Sequence, residues 1–378
     1  MCGVCGFTFP APQAESRSRD LEAMLASMSH RGPDGQGTFV SCGVALGHRR
    51  LAIIDLRSGD QPMTGPSGCS IVFNGEIYNY RELRTELESG GRAFATTSDT
   101  EVLLAAYEEW DHAFLDRMIG MFAFAIHDPR RGKIVLGRDR LGKKPLYFAT
   151  TPVGLAFASE IKALLALPQV RADLDINLRA VRDYLALGYI LAPKTIYANI
   201  TRLSPGCLAF YDLPGKRIEI RRYYHPEAAC QAPKLAFNMQ TVECFDALLA
   251  DAVRLSMAHS LELRVPFLDH RLVELVARLP DKAKMSGLNQ KVVLKRAMAE
   301  RLPRSILARA KKGFNFPAYC ISSQSLEPPA GPGIFRKGFR LSPQREDVTY
   351  KSFNLLILGI WYEIYERFRV TNRWEPLS

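Results

Sequence analysis

Apolar residues recur at three- and four-residue spacing over 19–29, 80–89, 101–118 and 159–167, and that period predicts helices. Between them lie short runs rich in Val, Ile, Phe and Ala, bounded by Gly, Pro or Asp. These runs, at 43–56, 70–73, 121–127, 133–136, 146–149 and 154–158, predict strands. Short turns join several of them, as at 128–132, which points to antiparallel hairpins rather than a wound βαβ fold. A helix at 177–187 and strands at 207–211 and 217–223 close this half. Residues 224–238 carry Pro, Gln and Ala without a period and read as a linker. Beyond them the pattern is helical, at 241–259, 271–279, 290–300 and 354–368. The stretch 322–343 is rich in Pro, Gly and Ser and reads as irregular. No internal repeat is visible.

Composition narrows the class. A chain of 378 residues, 47% hydrophobic and 24% charged, is globular and long enough for two to three domains. Its longest apolar run, near 353–364, is too short for a bilayer, and the N-terminus has no basic stretch leading into an apolar core. The expectation is a soluble cytoplasmic protein with no membrane partner. Eight cysteines are scattered without the framework of a secreted domain. Only Cys2 and Cys5 make a C-x-x-C pair, and nothing completes a zinc site, so no metal is expected. The net charge of +11 comes from basic residues interleaved with acids, which reads as a solvated surface rather than a nucleic-acid interface.

Cys2 is the most informative position. Removal of Met1 leaves a thiol and a free α-amine on one residue, with reference pKa values of about 8.5 and about 8. The amine can take the thiol proton near neutral pH, which makes a self-contained nucleophile and base. Cys5 reads as a small buried residue of the first strand.

Met-Cys-Gly at 1–3 is followed by Arg31-Gly-Pro-Asp-Gly35, His48-Arg-Arg-Leu-Ala-Ile-Ile54, Asn74-Gly-Glu76 and Ser98-Asp-Thr-Glu101. Gly137-Arg-Asp-Arg-Leu-Gly-Lys-Lys-Pro-Leu-Tyr147, Ser159-Glu-Ile-Lys162, Thr195-Ile-Tyr197 and Leu203-Ser-Pro-Gly206 continue the series. In this order and at these separations the motifs resemble the glutaminase half of class II glutamine amidotransferases, and most closely the glutamine-hydrolysing asparagine synthetase family. The resemblance covers nearly all of residues 1–225. It implies an α+β fold: an N-terminal nucleophile hydrolase, a four-layer αββα sandwich over 1–213. A linker at 214–240 and a shortened, mostly helical remnant of an α/β ATP-pyrophosphatase-type synthetase domain at 241–378 would follow.

The resemblance also implies roles. Cys2 attacks the glutamine side-chain amide, giving a thioester and ammonia, and water then releases glutamate. The Asn74 side chain and the Gly75 N–H hold the oxyanion. Arg50 takes the α-carboxylate through a bidentate fork, Asp99 takes the α-ammonium, and Glu76 sits beside it. The backbone of Leu51, Ala52, Ile53 and Ile54 lines the same pocket. Each has a structural alternative: Asn74-Gly75 is also a hairpin-turn signal, Asp99 could belong to a helix N-cap, and Arg50 could face solvent.

From Phe245 onward the asparagine synthetase resemblance resumes in two pieces, 248–253 and 256–269, followed by Leu279-Pro280, Lys291, Leu302-Pro303 and Lys311-Lys-Gly-Phe314. Lys291 matches a phosphate-contacting lysine, or is an exposed helical lysine. Between Leu255 and Ser256 the family's Ser-Gly-Gly-x-Asp-Ser pyrophosphate loop, several strands and an acidic site are missing. The one Ser-Gly-Gly, at 89–91, reads as a helix C-terminal cap. The glutaminase step needs no cofactor; ATP and magnesium are implied by the family but find no binding loop here. The family reaction is ATP-dependent amidation of aspartate. Another carboxylate acceptor, a glutaminase-only or regulatory remnant, and a homodimer all stay open. Without their sheet, helices such as 271–279 are expected to expose apolar surface.

Overall fold

The computed structural model describes residues 1–10, 14–41, 43–52, 55, 58–257, 266–309, 357–358 and 361–362; side chains at 14–16 and 255–257 are left aside. Expected features at 311–314 and 322–343, most of 354–368, and residues Ile53 and Ile54 lie outside them.

Two six-stranded sheets carry the first half. The strands are β1 (Gly3–Thr8), β2 (Gly35–Ser41), β3 (Val44–Arg50), β4 (Met63–Thr64), β5 (Ser70–Ile77), β6 (Gly120–Asp128) and β7 (Lys133–Arg138). They continue with β8 (Tyr147–Thr151), β9 (Gly154–Ala158), β10 (Thr201–Arg202), β11 (Cys207–Asp212) and β12 (Arg217–Arg222). The first sheet runs β10-β8-β9-β1-β3-β2 and the second β12-β11-β7-β6-β5-β4. Every pairing is antiparallel. Strand β12 falls within the span read as linker, so the second sheet extends past residue 213.

Strict alternation builds the layers. Val4, Val44 and Leu46 of the first sheet meet Val72, Ala123 and Ala125 of the second in a buried cluster between the sheets. The intervening residues Ile71, Phe73, Phe122 and Phe124 face outward and pack under α2 (Tyr80–Ser89) and α3 (Asp99–Trp110). On the far side, α1 (Ala14–Ser27) packs on β3 and β1. The result is the αββα sandwich expected from the motifs.

Local chemistry ends the elements. Helix α3 stops at Trp110 because Asp111 adopts φ 51°, and the apolar period runs on into a short α4 (Phe114–Arg117) rather than one helix to 118. After α2, Gly91 takes φ +91° and the Arg92 N–H closes on the Leu87 carbonyl at 3.0 Å. The Ser89-Gly-Gly run is thus a helix cap, as its position predicted.

The remaining helices among the described residues are α5 (Ile161–Leu164), α6 (Pro168–Arg171), α7 (Leu178–Leu187), α8 (Pro226–Gln231), α9 (Met239–Met257), α10 (His270–Arg278), α11 (Asp281–Lys284), α12 (Val292–Ala297) and α13 (Arg304–Leu307). The chain separates into a large unit, 1–176 with 192–307, and a small one, 177–191 with 308–378. In the small unit α7 begins at an Asn177 cap, whose side chain accepts from the Arg179 and Ala180 N–H groups. Within the large unit, α9, α10, α11 and α12 form a core of their own from Val242, Phe245, Leu249, Leu272, Leu279, Ala283 and Val293. This corrects the expectation of a bare apolar face at 271–279: Leu272 and Leu279 are buried by neighbouring helices, without a sheet.

Candidate active site

The alternation that fills the core also delivers the polar site. On β5, Asn74 and Glu76 follow Val72 on the face between the sheets, and on β3, His48 and Arg50 follow Leu46. Cys2 precedes Val4 at the same parity. The site therefore forms where the inter-sheet core runs out. Cys5 has the opposite parity: its Sγ lies 3.0 Å from where a Gly47 Cβ would sit, beside Leu21 and Leu25 of α1. The two cysteines lie on opposite faces, and burial pushes the Cys5 thiol far above its ordinary range. The C-x-x-C pair is not a paired redox site.

The Cys2 Sγ lies 3.4 Å from the Leu51 nitrogen, which donates to it. Burial raises the thiol's pKa, opposed by that hydrogen bond, the Met1 α-ammonium and Lys144. Arg31 donates to the Cys2 carbonyl at 2.9 Å and to Glu160 at 2.9 Å, so the first residues are held from outside the strand.

Asn74 is 1% exposed, and its Nδ2 has no hydrogen-bond partner. A buried amide left unpaired costs about 1–3 kcal/mol unless a ligand meets it. Asn74-Gly75 is not a hairpin turn: both residues sit mid-strand, opposite Ala123 and Phe122 of β6. Gly75 is required because a Cβ there would come within 2.2 Å of the Met121 carbonyl. The N–H groups of Phe73 and Ile77 point to the open edge of β5, where the Gln61 Oε1 and the Asp99 Oδ2 accept them at 2.6 and 3.1 Å. Gly75 lies between them at the same parity, so its N–H faces the same edge.

Asp99 opens α3 and is 4% exposed, while Ser98 supplies the cap by accepting from the Thr100 N–H at 3.1 Å. Burial raises the Asp99 carboxyl to about 7 despite the Ile77 and Thr100 N–H groups. Glu76 is raised to about 8 by burial, and its Oε2 has no partner. Arg50 is 8% exposed, not solvent-facing, and donates to Asp60 at 2.7 Å and to the Asp55 carbonyl. Leu51 and Ala52 follow it, and the Ala52 N–H donates to Asp34 at 2.9 Å. His48 is buried with its pKa lowered to about 4, so it is neutral, and its Nε2 meets the Phe73 carbonyl at 3.1 Å, tying the two sheets.

Sequence reasoning left Lys144 without a role. It is 7% exposed, and its charge interacts with Glu76 and Cys2. Lys291 joins none of this: it is exposed, sits at φ 58° before α12, and has no side-chain partner among the described residues.

With the site's geometry in place, two family matches bear on the chain. Residues 1–224 match the glutamine amidotransferase domain and residues 186–325 match asparagine synthase. The chain belongs to the glutamine amidotransferase domain family. It is 43% identical over 273 residues to asparagine synthetase [glutamine-hydrolyzing] 2 of Bacillus subtilis, covering 70% of this chain and 36% of that protein. It is 36% identical over 232 residues to asparagine synthetase [glutamine-hydrolyzing] 3 of the same organism, covering 60% and 37%. With asparagine synthetase B [glutamine-hydrolyzing] of Escherichia coli it shares 43% over 169 residues, covering 44% and 30%. This amidotransferase-family chain thus spans well under half of these relatives' lengths. No described helix is long and apolar enough to cross a membrane.

In the helical part of the large unit, α8, α9 and α10 border a cavity of about 500 Å³ whose lining includes Arg271 and Arg278. Both are already engaged, Arg271 with Asp251 and Asp269 and Arg278 with the Pro233 carbonyl. The described lining holds no glycine turn, and its one carboxylate is Glu274.

Proposed function

We propose that this chain hydrolyses glutamine to glutamate and ammonia at Cys2. The observation that carries the reading is the unpartnered, buried Asn74 Nδ2 on the same inter-sheet face as the thiol. After removal of Met1, the Cys2 α-amine takes the thiol proton and Sγ attacks the amide carbon. The oxyanion receives hydrogen bonds from Asn74 and the Gly75 N–H. The Cys2 ammonium protonates the leaving ammonia, and water then opens the thioester. Arg50 exchanges its Asp60 and Asp55 partners for the substrate α-carboxylate. Leu51 and Ala52 supply backbone around it, and Asp99 and Glu76 face the α-ammonium.

The two raised carboxyls set a pH dependence. Below about 7 both are protonated and neutral, so neither attracts the ammonium; above about 8 both are charged. KM for glutamine should therefore fall severalfold as pH rises from 6 to 8.5. A flat KM over that range would remove Asp99 and Glu76 from the clamp.

The ammonia serves amidation of a carboxylate, aspartate by the family resemblance, and this chain does not carry that ATP-dependent step by itself. Its sequence holds no Ser-Gly-Gly-x-Asp-Ser loop, and small shifts of helices cannot replace a turn of N–H groups around phosphate. Pyrophosphate release with aspartate and ATP should stay at background with glutamine and with ammonium. Substrate-dependent release would show a nucleotide site built from other residues.

A further inference from the structure

Between β7 and β8 the segment 139–146 is a turn built around two buried side chains, Arg138 at the end of β7 and Asp139. Arg138, 1% exposed, donates to three carbonyls: Lys144 at 2.8 Å, Leu203 at 2.5 Å and Gly142 at 2.8 Å. Asp139, fully buried, accepts from the N–H groups of Leu141, Lys143, Lys144 and Phe122 at 3.2, 2.9, 2.9 and 3.3 Å. The Lys144 backbone is thus gripped on both its N–H and its carbonyl. A turn held this firmly fixes where the side chain after it goes.

The two adjacent lysines diverge. Lys143 lies over the Tyr78 ring at 5.9 Å, with Asp139 and Asp269 as its acidic neighbours. Lys144 is buried on the side of the Cys2 site. The charged groups facing it are Glu76 from β5, Cys2 from the chain start, Asp139 from its own turn and Arg31 from the segment before β2. Those facing Cys2 are the Met1 α-amine and Lys144, which favour the thiolate, and Asp99, which opposes it. Glu76 faces Lys144 and Asp99. No carboxylate makes an ion pair with Lys144 among the described residues, and the Glu76 Oε2 is itself unpartnered. Burying a lysine without a tight ion pair is costly. A fixed cation that spends no charge on a structural partner is available to an anion that appears only when the site works.

We propose that Lys144 is a positioning residue whose fixed positive charge stabilises the Cys2 thiolate, and with it the negative charge that develops during attack. This rests on the reading of Cys2 as the glutaminase nucleophile and adds to it a group outside the substrate clamp. The proton still goes from Sγ to the Cys2 α-amine; Lys144 transfers nothing and acts through the field at sulfur. Burial lowers its own pKa, but Glu76 and Asp139 oppose that loss of charge.

The test is the pH dependence of Cys2 alkylation by iodoacetamide, followed by mass spectrometry on the full chain. Wild type is compared with Lys144→Met, Lys144→Gln and Lys144→Arg. Losing a nearby cation should raise the alkylation midpoint by about one pH unit in the Met and Gln variants, and Arg should keep it near wild type. Two replacements of different polarity guard against one of them failing to fold. A midpoint unchanged in a folded Met or Gln variant overturns the proposal, as does an Arg variant that shifts like Met. Glutamate release by wild type is measured alongside. If it is present while the midpoint ignores Lys144, the Lys144 assignment fails alone; if it is absent, the glutaminase reading fails.

Discussion

Replacing Cys2 by alanine is expected to lower glutamine hydrolysis by roughly 10⁴-fold or more, since removal of a nucleophile leaves only binding and the oxyanion donors at work. Cys2 is the cysteine at the inter-sheet face of the site. The next one in sequence, Cys5, points under α1, and its burial keeps it protonated. Cys5→Ala should therefore keep turnover within a few fold, since it trades one small buried residue for another. The alanine at position 2 should cost little stability, because Cys2 is half-buried and its Sγ hydrogen bonds among the described residues go to the Leu51 backbone. Glutamate release read with both variants separates the two thiols.

Asn74→Ala is expected to lower kcat by about 10²–10³-fold, the usual loss of one oxyanion donor, with KM for glutamine nearly kept. Its effect on stability should be small or favourable, because Nδ2 makes no hydrogen bond that the substitution would break. That combination separates a catalytic donor from a structural one, which would lose stability instead. Arg50→Ala should behave oppositely. It removes a charge-assisted fork expected on the α-carboxylate, so KM should rise by tenfold or more while kcat changes less. It should also loosen the segment tied to Asp55 and Asp60. The reverse pattern, with KM lost in the Asn74 variant and kcat in the Arg50 variant, would exchange their roles.

The candidate site was legible through the motifs that carry the family resemblance. In the structure Cys2, Arg50, Asn74 and Glu76 stand at the parity of Val4, Leu46 and Val72, which any strand with one buried face imposes on its neighbours. Asp99 could be read from its motif at 98–101; that it also holds the Ile77 N–H could not. Strand β2 was missed because Gly35–Ser41 lies half exposed and carries Gly, Gln and Thr in place of an apolar run. The break after α3 was missed because apolar spacing continues across a backbone reversal made by one left-handed aspartate. Lys144 was given no role because nothing local to two lysines before a proline marks one of them as buried. Its burial depends on Arg138 and Asp139, whose partners are as distant in sequence as Leu203. The small core of α9, α10, α11 and α12 was missed for a related reason: contacts between separate helices leave no local period.

The most direct test of the account is incubation of the full chain with a diazoketone analogue of glutamine, followed by intact mass and peptide mapping. A single adduct is predicted, on an N-terminal Cys2 from which Met1 has been removed, and excess glutamine should prevent it. An adduct on Cys5 or another residue, or labelling of Cys2 in a chain that still carries Met1, would contradict the N-terminal nucleophile.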